Sequence, residues 1–241
     1  MAAETVTARV QARPRATSYW FDIVFGRLIP ALFFGIFIVD KAILVRDSFR
    51  SLTFDPSHAS AYLGPLSQVL GLVYFSLLAF LYAIRLPKRA GDGRPLMILA
   101  SFFGSFSVIF VTFLPGVPVR RALEVPSLVV VVVGLIYTVW ALAYLQRSFS
   151  ILPEARRVVT GGPYALSRHP LYLGEAAAAI GITLPTIGWP GALLLAFFLT
   201  AQYLRIRAEE RVLERIFPEY GAYRRRVPRY LPDPRRLLAR R

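Results

Sequence analysis

The sequence predicts an all-α fold, a polytopic membrane helix bundle with about six membrane-inserted helices. Two observations support this class. The chain of 241 residues is 56% hydrophobic with a mean hydropathy of +0.51, which exceeds the apolar share of an ordinary soluble domain. Its apolar residues also fall into long runs separated by arginine-rich connections, as expected of a chain that repeatedly crosses roughly 30 Å of hydrocarbon.

Four apolar runs predict an N-terminal region of four transmembrane helices over residues 21–145, after a basic tail at residues 1–20. The runs cover residues 21–45, 61–84, 96–114 and 125–145. The first is the weakest candidate, because Arg27, Asp40 and Lys41 interrupt it. The tail lacks an apolar core followed by a cleavage site, so we expect a retained cytoplasmic tail rather than a signal peptide.

The remaining chain, residues 146–241, is expected to hold the ligand-binding region. After a hydrophilic loop at 146–169, two apolar segments at 171–187 and 189–204 are joined by IGWPGA, whose glycines and proline break a helix. They predict a tight helical hairpin, either fully crossing or re-entrant, since each arm is near the lower length limit for a span. From Arg205 onward, an amphipathic and charged sequence predicts a cytoplasmic C-terminal helix.

The basic residues predict which side of the membrane each connection faces. They are concentrated in the N-terminal tail, in the loops at residues 85–94 and 147–168, and in the C-terminal segment. The positive-inside rule makes these segments cytoplasmic and, with six crossings, places both termini inside. We therefore expect an integral membrane protein in contact with membrane lipids, in a prokaryotic inner membrane.

Composition argues against several classes of partner and cofactor. The formal net charge is +15, but the basic residues alternate with apolar runs, which favours anionic lipid over nucleic acid as their partner. The chain contains no cysteine, which removes disulfides, thiolate metal sites and a cysteine nucleophile. With two histidines, a histidine-rich site is not expected either, so no metal is predicted.

The motif GPYALSRHPLYLG, residues 162–174, is the strongest candidate for a binding site. Pro170 is placed to begin the next helix, whose free N–H groups and positive dipole end favour an anionic group. Arg168 adds a planar fork that can bind a carboxylate at two points. Gly174 leaves room where a ligand or another helix approaches closely. The candidate residues of this motif are Tyr164, Arg168, His169, Pro170, Tyr172 and Gly174.

Glu209 and Glu210 predict a second wall of the same pocket. They follow the hairpin, so the chain has returned to the side on which the motif lies. Their carboxylates can accept hydrogen bonds from an ammonium group or a ribose diol. With Arg168 and the tyrosines they suit a zwitterionic, nucleoside-like ligand. The alternative for each residue is a purely interfacial role, as a positive-inside arginine, a member of an aromatic belt or a balancing charge.

Taken in order, these segments resemble a known family. GPYALSRHPLYLG, the apolar hairpin, RIRAEERVLERIFPEY and YRRRVPRYLP resemble the isoprenylcysteine carboxyl methyltransferase family, which is related to the membrane phospholipid methyltransferases. The resemblance implies an enzyme that binds S-adenosylmethionine in a cytoplasm-facing pocket, with residues 146–241 as its catalytic region. The family's RHPxYxG pattern falls on Arg168, His169, Pro170, Tyr172 and Gly174, its paired acids on Glu209 and Glu210, and its RVP element on residues 226–228.

The acceptor and the role of His169 depend on each other. The resemblance implies a lipophilic or amphiphilic acceptor from the bilayer, with a carboxylate favoured over a phospholipid amine or a small thiol. A carboxylate needs only to be oriented, whereas an amine or thiol profits from a base such as His169. We hypothesise that Arg205 or Arg226 holds an acidic acceptor group, because both lie in the charged C-terminal segment near the expected pocket.

Two other classes of protein share parts of the pattern. Sterol reductases resemble the C-terminal architecture but use NADPH, whose phosphates Arg156 and Arg157 would hold only weakly. A non-catalytic scaffold or transporter would use the charges inside the apolar segments, Asp40, Lys41 and Glu175. Glu175 lies one turn into its helix, however, and is expected to face the pocket. A methyltransferase accounts best for the ordered set of motifs.

Overall fold

A computed structural model of the chain describes residues 28–51, 60–107, 110, 120–186 and 188–230, and helices dominate these ranges. The predicted all-α class is confirmed there. The α-helices of the described residues are α1 (Ile29–Arg50), α2 (Ser60–Ile84), α3 (Pro95–Phe106), α4 (Glu124–Leu145), α5 (Pro170–Thr183), α6 (Trp189–Ile216) and α7 (Tyr220–Arg226). A pair of two-residue strands, β1 (Ala90–Gly91) and β2 (Glu154–Ala155), joins two of the loops.

Three of the described helical segments are long and apolar enough to cross a membrane. They are Ala61–Ile84, Arg121–Ser148 and Trp189–Ile216. Helix α1 has 22 residues, whereas α3 and α5 have only 12 and 14. Three spans are therefore supported by length and composition, and the full set of six stays a prediction. The basic tail, the start of the first apolar run and most of residues 107–119 lie outside the described residues.

Proline marks the start of four of these helices. Pro30, Pro95, Pro170 and Pro190 each occupy the first or second helical position. A proline there costs no hydrogen bond, because the first N–H groups of a helix have no partner within it, and its fixed φ suits the first turn. The sequence thus sets the starting points of these helices locally, including the helix that follows the RHP motif.

Helices α4 and α5 pack closely in antiparallel orientation through small residues. The Ser127 hydroxyl donates to the Gly181 carbonyl at 2.7 Å near one end, and Thr138 faces Gly174 near the other. A Cβ atom on Gly174 would overlap the Thr138 hydroxyl. Gly174 is therefore required by the approach of another helix, which is one of the two reasons that the sequence offers for a glycine there.

The two arms of the expected hairpin pack on different partners. Helix α5 contacts α4 along its length, whereas α6 packs mainly on α3. Gly104 of α3 allows this contact, because a Cβ there would come within 2.9 Å of the Arg205 side chain. The two arms also contact each other, but less extensively than their main partners, so the expectation of a tight hairpin is not confirmed. Helix α6 also continues through Arg205 to Ile216 without interruption, so the charged segment extends the same helix.

The two central basic loops lie side by side. The Arg89 N–H donates to the Ala155 carbonyl at 2.8 Å, and the Leu86 N–H donates to the Arg147 carbonyl at 2.8 Å. Strands β1 and β2 pair antiparallel, with Gly91 opposite Glu154. Loop 85–94 therefore contributes directly to the structure around the candidate site, although it lies some 70 residues before the motif in the sequence.

The outer helix faces carry large apolar side chains that are mostly exposed in the described structure. Ile36 on α1, Val133 on α4 and Leu193 on α6 are all more than half exposed. Extended apolar surface of this kind is unusual on a soluble monomer and is expected where helices face lipid. The charged side chain of Lys41 in α1 instead contacts the neighbouring helix, because its Nζ donates a hydrogen bond to Gln68 Oε1 of α2 at 3.1 Å.

Candidate active site

A pocket opens where the loop before α5 meets the later part of α6 and the short helix α7. Its empty space, counted together with the solvent at its mouth, is about 670 Å³. Its lining combines aromatic rings with charges of both signs. These residues are Tyr164, Tyr172, Tyr220, Tyr223, Glu154, Glu209, Arg156, Arg157, Arg168 and His169.

The turn that begins the motif requires glycine. Gly162 has φ +56°, in the left-handed region that side chains with a Cβ adopt reluctantly. A Cβ at this position would also overlap the ring of Tyr144 at the end of α4. The following turn buries Pro163 and Tyr164. Gly162 therefore lets the motif fold back against α4 and present Tyr164 to the pocket.

The C-terminal RVP element packs directly on the motif. The Arg168 N–H donates to the Pro228 carbonyl at 2.9 Å, and the Ser167 hydroxyl donates to the Arg229 carbonyl at 3.2 Å. From α7, the Tyr223 hydroxyl donates to the Tyr164 carbonyl at 2.7 Å. Burial raises the pKa of Tyr223, so its hydroxyl stays protonated at physiological pH and can donate this hydrogen bond. Segments about 60 residues apart in the sequence thus form one wall.

Glu210 is the centre of a buried cluster of charges. One of its carboxylate oxygens lies 2.7 Å from Arg168 Nη1 and 3.2 Å from His169 Nε2. The other accepts a hydrogen bond from Arg229 Nη2 at 2.6 Å. The Glu210 side chain is only 5% exposed and lies behind the residues that line the pocket. Its structural effect is therefore to hold Arg168 and His169 in place.

Glu209 has different surroundings, although it is the next residue along the helix. It lines the pocket and accepts a hydrogen bond from the Tyr172 hydroxyl at 2.7 Å. The Tyr172 ring lies between two other candidates. His169 meets it edge-on with centroids 5.5 Å apart, and the Arg205 guanidinium lies 4.9 Å from its centre. Tyr172 thus connects the acidic wall of the pocket to the helix bundle.

Arg205 belongs to a polar cluster buried between α2, α5 and α6. Its Nη1 donates to Gln202 Oε1 at 2.7 Å and lies 3.9 Å from Glu175 Oε2, while Nη2 donates to the Ile151 carbonyl at 3.2 Å. Glu175 also accepts hydrogen bonds from Tyr74 at 3.1 Å and Gln202 at 2.7 Å. Glu175 therefore faces this cluster, beside the pocket rather than in its lining, which differs from the expectation for it.

The structure brings most of the predicted site residues together. Five of them line the pocket, namely Tyr164, Arg168, His169, Tyr172 and Glu209. Pro170 starts the helix that carries Tyr172, and Gly174 packs on Thr138 of α4. Arg205 and Glu210 contact the lining residues Tyr172 and Arg168, respectively. The arrangement confirms their proximity and leaves their roles as predictions.

Arg226 is the exception. It lies exposed in the last turn of α7 and is not among the described residues that line the pocket. The neighbouring Arg229, which sequence reasoning did not select, reaches Glu210 instead. Because Arg226 begins the RVP element and Arg229 directly follows it, the sequence pattern located the right segment without distinguishing the arginine that faces Glu210.

Several pocket residues were missed by sequence reasoning. Glu154 lies in the loop before the motif, while Tyr220 and Tyr223 are spaced three apart on α7 and share one face. This aromatic spacing was a usable signal, because a pair of tyrosines in so basic a segment indicates a buried face. The sequence suggests Arg156 only as a weak phosphate ligand, yet it is buried in the pocket wall, and burial lowers its pKa. In the described ranges, no group of three or more acidic or histidine side chains is placed to hold a metal ion.

These features define a class: a helical integral membrane protein with a polar, tyrosine-lined pocket at its C-terminal helices. Residues 123–220 match the phospholipid methyltransferase family. This match confirms the resemblance seen in the sequence to the membrane methyltransferases that include the phospholipid and isoprenylcysteine carboxyl enzymes. The match contains the whole RHPxYxG motif and both glutamates, whereas α1, α2 and α3 lie outside it.

Two curated proteins are similar over part of their length. The nickel-cobalt-cadmium resistance protein NccN of Alcaligenes xylosoxydans xylosoxydans is 30% identical over 115 residues, 47% of this chain and 52% of the relative. The cobalt-zinc-cadmium resistance protein CzcN of Cupriavidus metallidurans strain CH34 is 40% identical over 77 residues, 31% of this chain and 35% of the relative. The similarity thus spans about half or less of these relatives. No solved structure matches the chain.

Proposed function

We propose that this protein transfers a methyl group from S-adenosylmethionine to an amphiphilic acceptor that enters the pocket from the membrane. The observation that carries the proposal is the pocket itself. It brings together the motif residues, an acidic wall and three tyrosines of the family-matched region, with Tyr223 just beyond it. We further propose that the pocket faces the cytoplasm, that both termini are cytoplasmic and that the membrane is a prokaryotic inner membrane, from the distribution of basic residues.

The side chains present suit this cofactor. Tyrosine faces attract a sulfonium cation, and the Glu209 carboxylate suits an ammonium group. The Nε atoms of Arg156 and Arg168, both in the lining, are buried without a hydrogen-bond partner in the described part of the chain, so donors remain for ligand oxygens. When bound, the cofactor supplies a methyl group activated by the sulfonium, and the pocket's contribution is to align the acceptor with it.

His169 is proposed to position the pocket wall rather than to act as a base. A glutamate carboxylate can only accept, so the Nε2 atom that faces Glu210 at 3.2 Å must carry the hydrogen. Glu210 thereby fixes the orientation of the ring, which in turn meets Tyr172 edge-on. A carboxylate acceptor is consistent with this arrangement because it needs no deprotonation: its oxygen is already a nucleophile, and the ester product forms without release of a proton.

Arg205 is the favoured holder of an acidic acceptor group. Its guanidinium is buried against Tyr172, and its Nε has no partner among the described residues, whereas Arg226 is exposed. We expect the substitution Arg205→Lys to raise KM for a carboxylate acceptor, because lysine lacks the planar fork. We expect Arg226→Ala to leave KM near the wild-type value. The reverse result would assign the acceptor to the C-terminal segment.

A binding measurement separates the proposal from the reductase alternative. The detergent-solubilised protein would be titrated calorimetrically with S-adenosylmethionine, S-adenosylhomocysteine and NADPH. We expect both sulfur nucleosides to bind and NADPH to bind weakly. Clear binding of NADPH with no binding of either sulfur nucleoside would reject the methyltransferase.

A second measurement identifies the acceptor chemistry. Membranes that contain the protein would be incubated with S-adenosylmethionine carrying a radiolabelled methyl group, and the extracted lipids treated with alkali. A methyl ester releases volatile labelled methanol, whereas methylated amines and thioethers keep their label. We expect release of the label, and retention would point to a phospholipid amine or a thiol.

A further inference from the structure

Glu154 and Arg156 lie in the pocket wall within a cluster of basic side chains. The Glu154 carboxylate is 2.6 Å from Arg156 Nη2, 3.4 Å from Lys88 Nζ and 3.9 Å from Arg85 Nη1. It also accepts a hydrogen bond from the Ser150 hydroxyl at 2.9 Å. The single negative charge of Glu154 therefore faces three cationic groups, so it does not fully balance the charge of Arg156.

Arg156 is both buried and incompletely bonded. Its side chain is only 1% exposed, so water cannot solvate its charge. Its Nε atom has no hydrogen-bond partner in residues 28–51, 60–107, 110, 120–186 and 188–230. A buried guanidinium normally has its donors satisfied, and an unmet donor in a pocket wall indicates a missing acceptor. An anionic ligand group would supply it.

Arg168, the arginine of the motif, has an ion-pair partner within the protein, although its Nε also lacks a hydrogen-bond partner among the described residues. Arg168 lies 2.7 Å from the Glu210 carboxylate, so the sequence-based expectation that it binds a ligand carboxylate meets a competing partner within the protein. On the acidic wall, Glu209 faces the same pocket. The pocket thus has one region suited to an anion, at Arg156, and another suited to a cation, at Glu209.

We propose that Arg156 binds a ligand carboxylate, which we assign to the amino-acid end of the cofactor. This inference rests on the proposed function, and an amino-acid end with a carboxylate and an ammonium matches the paired regions at Arg156 and Glu209. A carboxylate on the acceptor has the same chemistry and is the competing source. Loop 85–94 takes part through Lys88 and through the pairing of Gly91 with Glu154, so a segment outside the family-matched region contributes to ligand affinity.

The test compares S-adenosylhomocysteine with its decarboxylated analogue, which keeps the amine, the thioether and the adenosine. Affinities of the full chain in detergent are measured by calorimetry. We expect the wild type to prefer the carboxylate-bearing ligand by roughly 10- to 100-fold, the value of a charge-assisted hydrogen bond. In Arg156→Gln the preference should fall to nearly none. The matched control is Arg94→Gln, which also removes one arginine charge, here from an exposed ion pair with Asp92 in loop 85–94. This variant should keep the preference for the carboxylate-bearing ligand.

The outcomes separate this inference from the function on which it rests. Equal affinity of the wild type for both ligands overturns the assignment without any variant, so a poorly folded Arg156→Gln does not block the test. Undiminished preference in a folded Arg156→Gln also overturns it while leaving the methyltransferase intact. If Arg156→Gln keeps the wild-type cofactor affinity but has a raised KM for a carboxylate acceptor, Arg156 binds the carboxylate of the acceptor, and the assignment to the cofactor is overturned. Failure of the wild type to bind S-adenosylhomocysteine would reject both proposals.

Discussion

Replacing Glu210 by glutamine is expected to destabilise the protein, whereas the same change at Glu209 is expected to weaken ligand binding. Glu210 is 5% exposed and faces Arg168, His169 and Arg229. Removing one member of a buried, hydrogen-bonded charge cluster typically costs about 3–5 kcal/mol, because the remaining charges lose their partner without gaining water. For a chain of this size that corresponds to a fall in apparent melting temperature of roughly 6–20 °C.

Glu209→Gln is the matched variant, since it makes the same chemical change one residue away. The amide oxygen can still accept the hydrogen bond from Tyr172, so the melting temperature should change little. The affinity for S-adenosylhomocysteine should fall by roughly 10- to 100-fold if Glu209 holds its ammonium group. The glutamine change at Glu210 should also weaken binding, through the displacement of Arg168 and His169, but only together with lower stability.

The assay is thermal unfolding in detergent, followed by tryptophan fluorescence, combined with calorimetric titration of both variants. Ligand must be absent from the unfolding experiment, because bound ligand would raise the melting temperature by mass action. The reasoning is refuted if Glu210→Gln melts with the wild type and Glu209→Gln melts well below it. That result would mean that the pocket-lining glutamate, rather than the buried one, holds the wall together.

Three further substitutions test the packing around the pocket, each read as a change in apparent melting temperature. Gly174→Ala should destabilise the folded protein by about 1–3 kcal/mol, because the new Cβ would overlap Thr138 of α4. A wild-type melting temperature would show that α4 and α5 can separate freely. Tyr223→Phe should lower the stability by about 1–3 kcal/mol, because it leaves the Tyr164 carbonyl without its hydrogen-bond donor. The control is Tyr144→Phe at an exposed tyrosine, which should leave the melting temperature unchanged. Tyr74→Phe should cost a similar amount, about 1–3 kcal/mol, through the lost bond to Glu175, and no change would mean that the α2 contact to the cluster is dispensable.

Local sequence signals predicted the helices and the motif well. The apolar run at residues 125–145 predicted α4 almost to the residue, and Pro170 predicted the start of α5. Both features depend on short-range physics, namely the length of an apolar run and the fixed φ of proline. The RHPxYxG pattern likewise identified Arg168 and His169 as pocket residues without any knowledge of the packing.

Long-range pairing was not accessible in the same way. Nothing local to loop 85–94 indicates that Gly91 pairs with Glu154, or that Lys88 lies beside the candidate site. Nor did the Gly/Pro turn after α5 reveal that α5 and α6 pack on different helices. These contacts depend on which surfaces of distant segments fit each other, and a single sequence carries little information about that choice.

The two adjacent glutamates show where the division falls. The sequence by itself predicted that a pair of acids, an RHP motif and an RVP element belong to one site, because their residue types, order and spacing resemble those of a family. Only the tertiary structure decided that Glu209 lines the pocket while Glu210 holds Arg168, His169 and Arg229. Neighbouring residues on an α-helix point about 100° apart, so their environments are set by what packs on each face of α6 rather than by their own identity.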